Sequence, residues 1–154
     1  MLHKRQKHLA TNSATLDAVM CMVARDYPEY KTYVCLAPTS PLRTAKHVGE
    51  ALKLFSEKLH DSLVSVKAEY KSIWKKMEPY AKPLVERFVN RQECEPIYIA
   101  NGAIFISSHD TLKIQKRRLA GHVGLYVMDE KSSLDIHNLD DIKLGEFYLL
   151  NERK

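Results

Sequence analysis

The chain has 154 residues, 45% hydrophobic and 28% charged, an ordinary balance for a globular domain long enough to bury a core. Its 24 Lys and Arg against 19 Asp and Glu leave a net charge of +5, which suits anionic small molecules or nucleic acid. No apolar run approaches the roughly 20 residues that span a bilayer, and the basic start leads into no signal-type apolar region, so a cytoplasmic protein with no membrane partner is expected.

In chain order, residues 13–25 read as a helix with Leu16, Val19, Met20 and Val23 on one face. Residues 33–36 are short, apolar and β-prone, as in an interior strand of a parallel sheet. Thr44 is an N-cap for a helix over 44–59, where Val48, Ala51, Leu52, Phe55 and Leu59 recur at helical spacing. Residues 62–67 follow as a strand, completing βαβ logic and a right-handed crossover. The pattern then breaks over 68–101, around Trp74, Pro79, Pro83 and Pro96, with short extended pieces at 83–85 and 97–100. A strand at 102–107, a short helix at 109–118, a strand at 123–128 and a helix at 139–150 finish the chain. Asp140 and Asp141 fall in the first turn of that last helix, with Asp140 as its cap.

Cys21, Cys35 and Cys94 form an odd set without CxxC spacing, which favours reduced thiols over a disulfide frame or a zinc site. The basic clusters at 3–8 and 113–118 are not interleaved with aromatic stacking platforms. They read as solvated helix ends, and no nucleic-acid partner is expected.

The segment Pro38-Thr39-Ser40-Pro41-Leu42-Arg43 lies between a strand and an amphipathic helix, where open α/β sheets bind ligands at helix N-termini. Thr39 and Ser40 offer hydroxyls and Arg43 an anion partner; the alternative is a proline-rich turn without a ligand. This segment resembles the PTSPLR stretch of the acylneuraminate cytidylyltransferases, the CMP-sialic acid synthetases. Further matches keep the same order along nearly the whole chain. Leu9-Ala10-Thr11 with Ala14-Thr15-Leu16-Asp17 is similar to the family's LATDTAS-LD segment. Asn90-Arg91-Gln92 precedes Asn101-Gly102-Ala103-Ile104-Phe105-Ile106, close to NGAIYI, and Gly124-Leu125-Tyr126-Val127-Met128 is similar to GxYVM. Ser133-Leu134-Asp135-Ile136-His137 with Asp140-Asp141 is similar to SIDIDTPED.

The resemblance implies a Rossmann-like nucleotidyltransferase fold, a three-layer α/β sandwich with a mostly parallel sheet. It also implies a single partial domain over 1–154, in which 68–101 is a protruding dimerisation and sugar-site segment. The family's ARxGSKxxxxKN-type loop, which wraps the triphosphate of CTP, is not found in this sequence, so an N-terminally truncated member is expected.

By the same resemblance Arg91 meets the carboxylate of a nonulosonic acid, Gln92 is a further substrate-binding residue, and Asn101 bridges hydroxyls. Phe105 stands where the family has a sugar-contacting tyrosine. From the residues alone, Arg91 reads equally as a surface ion pair, Asn101-Gly102 as a turn and Phe105 as a core ring. Asp135 and Arg43 are the expected catalytic residues, with Asp135 and His137 at the magnesium site. His137 replaces the family's second carboxylate with a ligand type magnesium favours less, and Ala37 replaces a sugar-contacting glutamine. The implied reaction is attack of the sugar's anomeric hydroxyl on the α-phosphate of CTP, releasing pyrophosphate, in a homodimer. The alternative is a noncatalytic dimerising remnant, or a partner of a full-length relative.

Overall fold

Thr15 and Thr44 open the first two helices of the computed structural model, which describes residues 4–84 and 93–151. Thr15 Oγ1 accepts the Ala18 N–H at 3.2 Å and starts α1, Leu16–Asp26. Thr44 and His47 exchange side-chain and backbone hydrogen bonds in a capping box at the start of α2, Ala45–Glu57. A third helix, α3, spans Leu139–Asn151.

The strands are β1 Thr32–Leu36, β2 Ser62–Glu69, β3 Trp74–Met77, β4 Tyr80–Pro83, β5 Ile97–Ser108 and β6 Val123–Met128. Four of them form one sheet in the order β1-β5-β2-β6. Three share a direction, because β2 and β6 pair parallel while β1 and β2 both pair antiparallel with β5. The sheet is therefore mostly parallel, with one reversed strand set inside it.

Side chains alternate across this sheet and generate three layers. On one face Leu63, Ala103, Ile104, Ile106 and Met128 pack against Ala51 and Phe55 of α2. On the other, Tyr33 joins Met20 and Ala24 of α1 and Leu112, while Val64, Val66 and Phe105 form an adjoining cluster. Full burial of Leu63, Ile104, Ile106 and Leu112 stabilises the fold by roughly 1.5–3 kcal/mol for each side chain. Leu59, expected on the α2 stripe, lies beyond the helix end at φ 50° and is exposed.

Strand β1, expected inside a parallel sheet, lies at the sheet edge beside antiparallel β5, and the structure departs from the sequence pattern in four further places. First, the two strands expected at 97–100 and 102–107 are one strand, β5. Its register against β2 pairs Val64 with Phe105 and Val66 with Ala100, so the four residues 101–104 stand opposite Ser65 alone. This is a wide bulge, with Gly102 at φ 74° supplying the left-handed turn that the Asn-Gly pair suggested. Second, the ends of the 68–101 segment belong to the sheet, since Ala68 pairs with Tyr98 and Glu69 with Ile97. Between them β3 and β4 form a separate two-stranded hairpin with a cis Glu78–Pro79 bond.

Third, the helix expected over 109–118 is a π-helical turn at Thr111–Gln115, ended by Lys116 at φ 56°. Hydroxyl bonding competes with helical hydrogen bonds there: Thr111 N–H donates to Ser108 Oγ at 3.1 Å and Thr111 Oγ1 donates to Asp61 O at 3.0 Å. Fourth, Asn138 rather than Asp140 caps α3, its Oδ1 accepting the amides of Asp140 and Asp141. Asp140 instead pairs with Lys143 at 2.8 Å.

Candidate functional site

The bulge in β5 is the structural centre of the site, and its polar groups are accounted for one by one. The Ser65 hydroxyl donates to Asn101 Oδ1 at 2.6 Å and accepts the Ile104 N–H at 2.7 Å. Asn101 Oδ1 also accepts the Ala103 N–H at 3.2 Å. The Ala103 carbonyl accepts Arg43 Nη1 at 2.9 Å, and the same nitrogen donates to the Ala37 carbonyl at 2.7 Å. Arg43 therefore ties the exit of β1 to the bulge of β5 before it meets any ligand.

A second pair of bonds brings in the segment after β6. Asn101 Nδ2 donates to Ser133 Oγ at 2.9 Å and reaches Met128 Sδ at 3.4 Å. Asp129 holds the intervening turn, accepting the Ser132 N–H and hydroxyl at 2.8 Å each. The amide of Ser132, more than any other contact, keeps the Asp129 carboxyl below the usual carboxylate range. The Ile136 N–H then donates to the Thr39 carbonyl at 2.9 Å, which closes the ring of segments. Residues 37–43, 101–104 and 133–137 thus meet in one place, although they are far apart in sequence.

Two buried polar atoms at this junction have no hydrogen-bond partner, Ser40 Oγ and Asp135 Oδ1. Among the described residues Arg118 Nε alone shares that condition. Asp135 Oδ2 stands 3.0 Å from Nε2 of the exposed His137 ring. Gly102 faces the same carboxylate, for a Cβ added there would lie 3.2 Å from Asp135 Oδ2. Asp135 and His137 are therefore adjacent, and Asp135 rests on the bulge. Among the described residues no group of three or more His, Cys, Asp or Glu side chains converges to hold a metal ion. Asp135 offers one hard carboxylate oxygen, a donor type that suits magnesium.

Several expected roles change with this geometry. Asn101 is 6% exposed and has its amide engaged at both ends inside the protein, so it shapes the site and does not reach a sugar hydroxyl. Phe105 is 8% exposed and lies in the core under Arg118, whose guanidinium carbon is 4.7 Å from the ring centroid. It forms no sugar-facing wall. Arg118 also donates to Asp17 Oδ1 at 2.6 Å, so this member of the 113–118 basic cluster links α1 to the sheet instead of solvating a helix end. Ser40 is buried while Thr39 is exposed, leaving Thr39 as the hydroxyl of that loop open to solvent. Arg91 and Gln92 lie outside the described residues. Ser65 was not singled out in the sequence, where an isolated serine carries no spacing signal, and Ser133 entered only as the first residue of a matched stretch.

No family model matches the chain. N-acylneuraminate cytidylyltransferase of Streptococcus agalactiae serotype V is 32% identical over 143 residues, which is 89% of this chain and 35% of that protein. The protein of the same name from Escherichia coli is 31% identical over 148 residues, covering 92% of this chain and 35% of the relative. Post-translational flagellin modification protein B of Campylobacter coli is 26% identical over 156 residues, 95% of this chain and 66% of that protein. Among solved structures, 4-diphosphocytidyl-2C-methyl-D-erythritolsynthase from Anaerococcus prevotii superimposes with a TM-score of 0.66 at 9% identity, over 90% of this chain and 68% of that one. At that identity the likeness is one of fold.

The three-layer α/β architecture is the fold this chain shares with that synthase. By sequence the chain is similar to the N-acylneuraminate cytidylyltransferases, and it spans about a third of the length of the first of those relatives (35%). Among the described residues no helix is long and apolar enough to cross a membrane.

Proposed function

We propose that this chain carries the acid-sugar side of a cytidylyltransferase, one that joins a nonulosonic acid of the sialic type to CMP and releases pyrophosphate. The observation that carries this reading is the junction of the Thr39–Arg43 loop, the β5 bulge and Asp135, with the partnerless Ser40 Oγ and Asp135 Oδ1 beside it. Arg43 holds the loop at the exit of β1, where anionic ligands bind in such sheets. Thr39 offers a hydroxyl to the substrate, and Asp135 offers a carboxylate oxygen to a sugar hydroxyl or a magnesium ion. Bound magnesium would offset triphosphate charge, and His137 would orient the Asp135 carboxylate through Oδ2. Arg91 and Gln92 are the proposed partners of the sugar carboxylate. The sequence holds no Gly-rich triphosphate loop, so turnover by these 154 residues alone is expected to be weak.

The direct assay supplies CTP, magnesium and a panel of sialic, legionaminic and pseudaminic acids, and follows pyrophosphate. Release with one acid, lost on Asp135→Asn, is the expected result. No release with any acid rejects catalysis by this chain.

A second reading, a dimerising partner without its own turnover, is favoured by the β3–β4 hairpin. Trp74, Met77 and Tyr80 are 53%, 46% and 78% exposed there, an apolar display suited to a second copy of the chain. Light scattering after size exclusion would give twice the chain mass. The variant Trp74→Ser with Tyr80→Ser would then run as a monomer, and a monomeric parent chain would remove the idea.

A further inference from the structure

A cleft of about 590 Å³ lies apart from the Asp135 junction. It is walled by the short 3-10 turn Lys7–Leu9, by one side of α1 and by the π-helical turn. Its size falls within the range of pockets that hold a small organic ligand. None of the residues at the bulge or at the Pro38-Thr39-Ser40-Pro41 loop lines it.

The lining has a one-sided charge. His8, Arg25, His109, Lys113 and Lys116 border the cleft, and no Asp or Glu does. Two acids next to the lining residues are already engaged, Asp26 3.0 Å from Arg25 Nε and Asp17 2.6 Å from Arg118 Nη1. Lys113 and Lys116 have no carboxylate partner among the described residues. Lys116 occupies a left-handed backbone position at φ 56°, a conformation that disfavours any side chain by about 1–2 kcal/mol. That turn sets its ammonium near the cleft, close enough for its charge to act on the Cys21 thiol. Beneath the cations the floor is apolar, made by Leu9, Ala18, Met22 and Leu112.

We propose that this cleft is a second ligand site, which takes the phosphate monoester of a small apolar or aromatic group. Arg25 is partly neutralised, its Nε standing 3.0 Å from Asp26 Oδ1. The point charges at the cleft without a carboxylate partner among the described residues are those of the two lysines, with two histidines beside them. A compact dianion such as a phosphate monoester gains most from these. Its organic part lies on the half-buried Leu9 and Ala18, which water solvates poorly. The proposal is independent of the cytidylyltransferase reading, since the two sites share no residue.

The test titrates phenyl phosphate into the isotopically labelled chain and follows backbone amide signals by NMR. Saturable shifts confined to residues 6–9, 18–25 and 109–116 are expected, with phenol and inorganic phosphate each binding more weakly than the ester. The exposed pair Lys113→Gln and Lys116→Gln should weaken binding by about tenfold or more, equivalent to about 1.4 kcal/mol, and Asp135→Asn should leave it unchanged. Shifts that fail to saturate, that spread over the basic surface at large, or that survive the double lysine variant would overturn the proposal.

Discussion

The Ser65 hydroxyl and the Asn101 side-chain oxygen, 2.6 Å apart and both buried, hold the β5 bulge in shape. With four residues of β5 facing one residue of β2, the ladder at this point has lost its regular partners. Ser65 replaces them by also accepting the Ile104 amide. Ser65→Ala leaves Asn101 Oδ1 and the Ile104 N–H short of a partner in a dry environment. Urea denaturation should show a loss of about 1–3 kcal/mol, the usual range for an unsatisfied buried group. A change within error of zero would mean that the bulge is held by other contacts.

Gly102 tests the same bulge from the backbone side. Its φ of 74° favours glycine, and a Cβ would come within 3.2 Å of Asp135 Oδ2. Gly102→Ala should therefore cost about 1–2 kcal/mol through the left-handed backbone alone. It should also move the Asp135 carboxyl signal in a carbon-detected NMR spectrum. An unstrained variant with an unmoved Asp135 signal would show that the carboxylate does not rest on the bulge.

Arg43 joins two carbonyls through Nη1, so its charge is not its whole contribution. Arg43→Lys keeps the charge and loses the planar fork. Stability should fall by about 1 kcal/mol, and Arg43→Met by about 2 kcal/mol, as hydrogen bonds to a charged group are removed. Equal stabilities for the lysine variant and the parent would reduce Arg43 to a point charge.

Much of this arrangement was legible in the sequence, and the failures have physical causes. Thr44 announced the start of α2 because a cap needs only a local hydroxyl, whereas the first helix was read from residue 13 and in fact starts after its cap Thr15. The apolar run around Val34 marked β1 for the same local reason. Asn101-Gly102 signalled a chain reversal correctly, but the same dipeptide serves a turn or a bulge, and long-range pairing with β2 decided between them. Phe105 and Asn101 sit at the expected sequence positions yet face inward, since side-chain direction in a strand follows register and the bulge resets the register. The engagement of Arg118 with Asp17 and Phe105 spans residues distant in the chain, so a run of basic residues gave no hint of it.

The Asp129 turn gives a pH dependence. Ser132 bonding keeps the folded carboxyl below its ordinary value of about 3.9. A carboxyl depressed by folding stabilises the native state at pH above the unfolded value, and that contribution disappears as pH falls through the folded value. Asp129→Asn should thus be less stable than the parent at pH 6, and the difference should shrink as pH falls below the ordinary carboxylate value and through the folded one. The same turn presents Ser133 to Asn101, so the Asn101 side-chain amide signals should shift over that acid range. A stability difference that is the same at pH 6 and at pH 2.5 would contradict this account of Asp129.

The claim on which the functional reading stands is that three distant segments form a single acid-sugar site. Titration of the labelled chain with N-acetylneuraminic acid in the presence of magnesium, followed by backbone amide NMR, tests it most directly. Saturable shifts grouped at residues 37–43, 101–104 and 133–137, and abolished together by Asp135→Asn, are the predicted result. Shifts at one of these segments without the others, or no saturable shift at any of them, would contradict it.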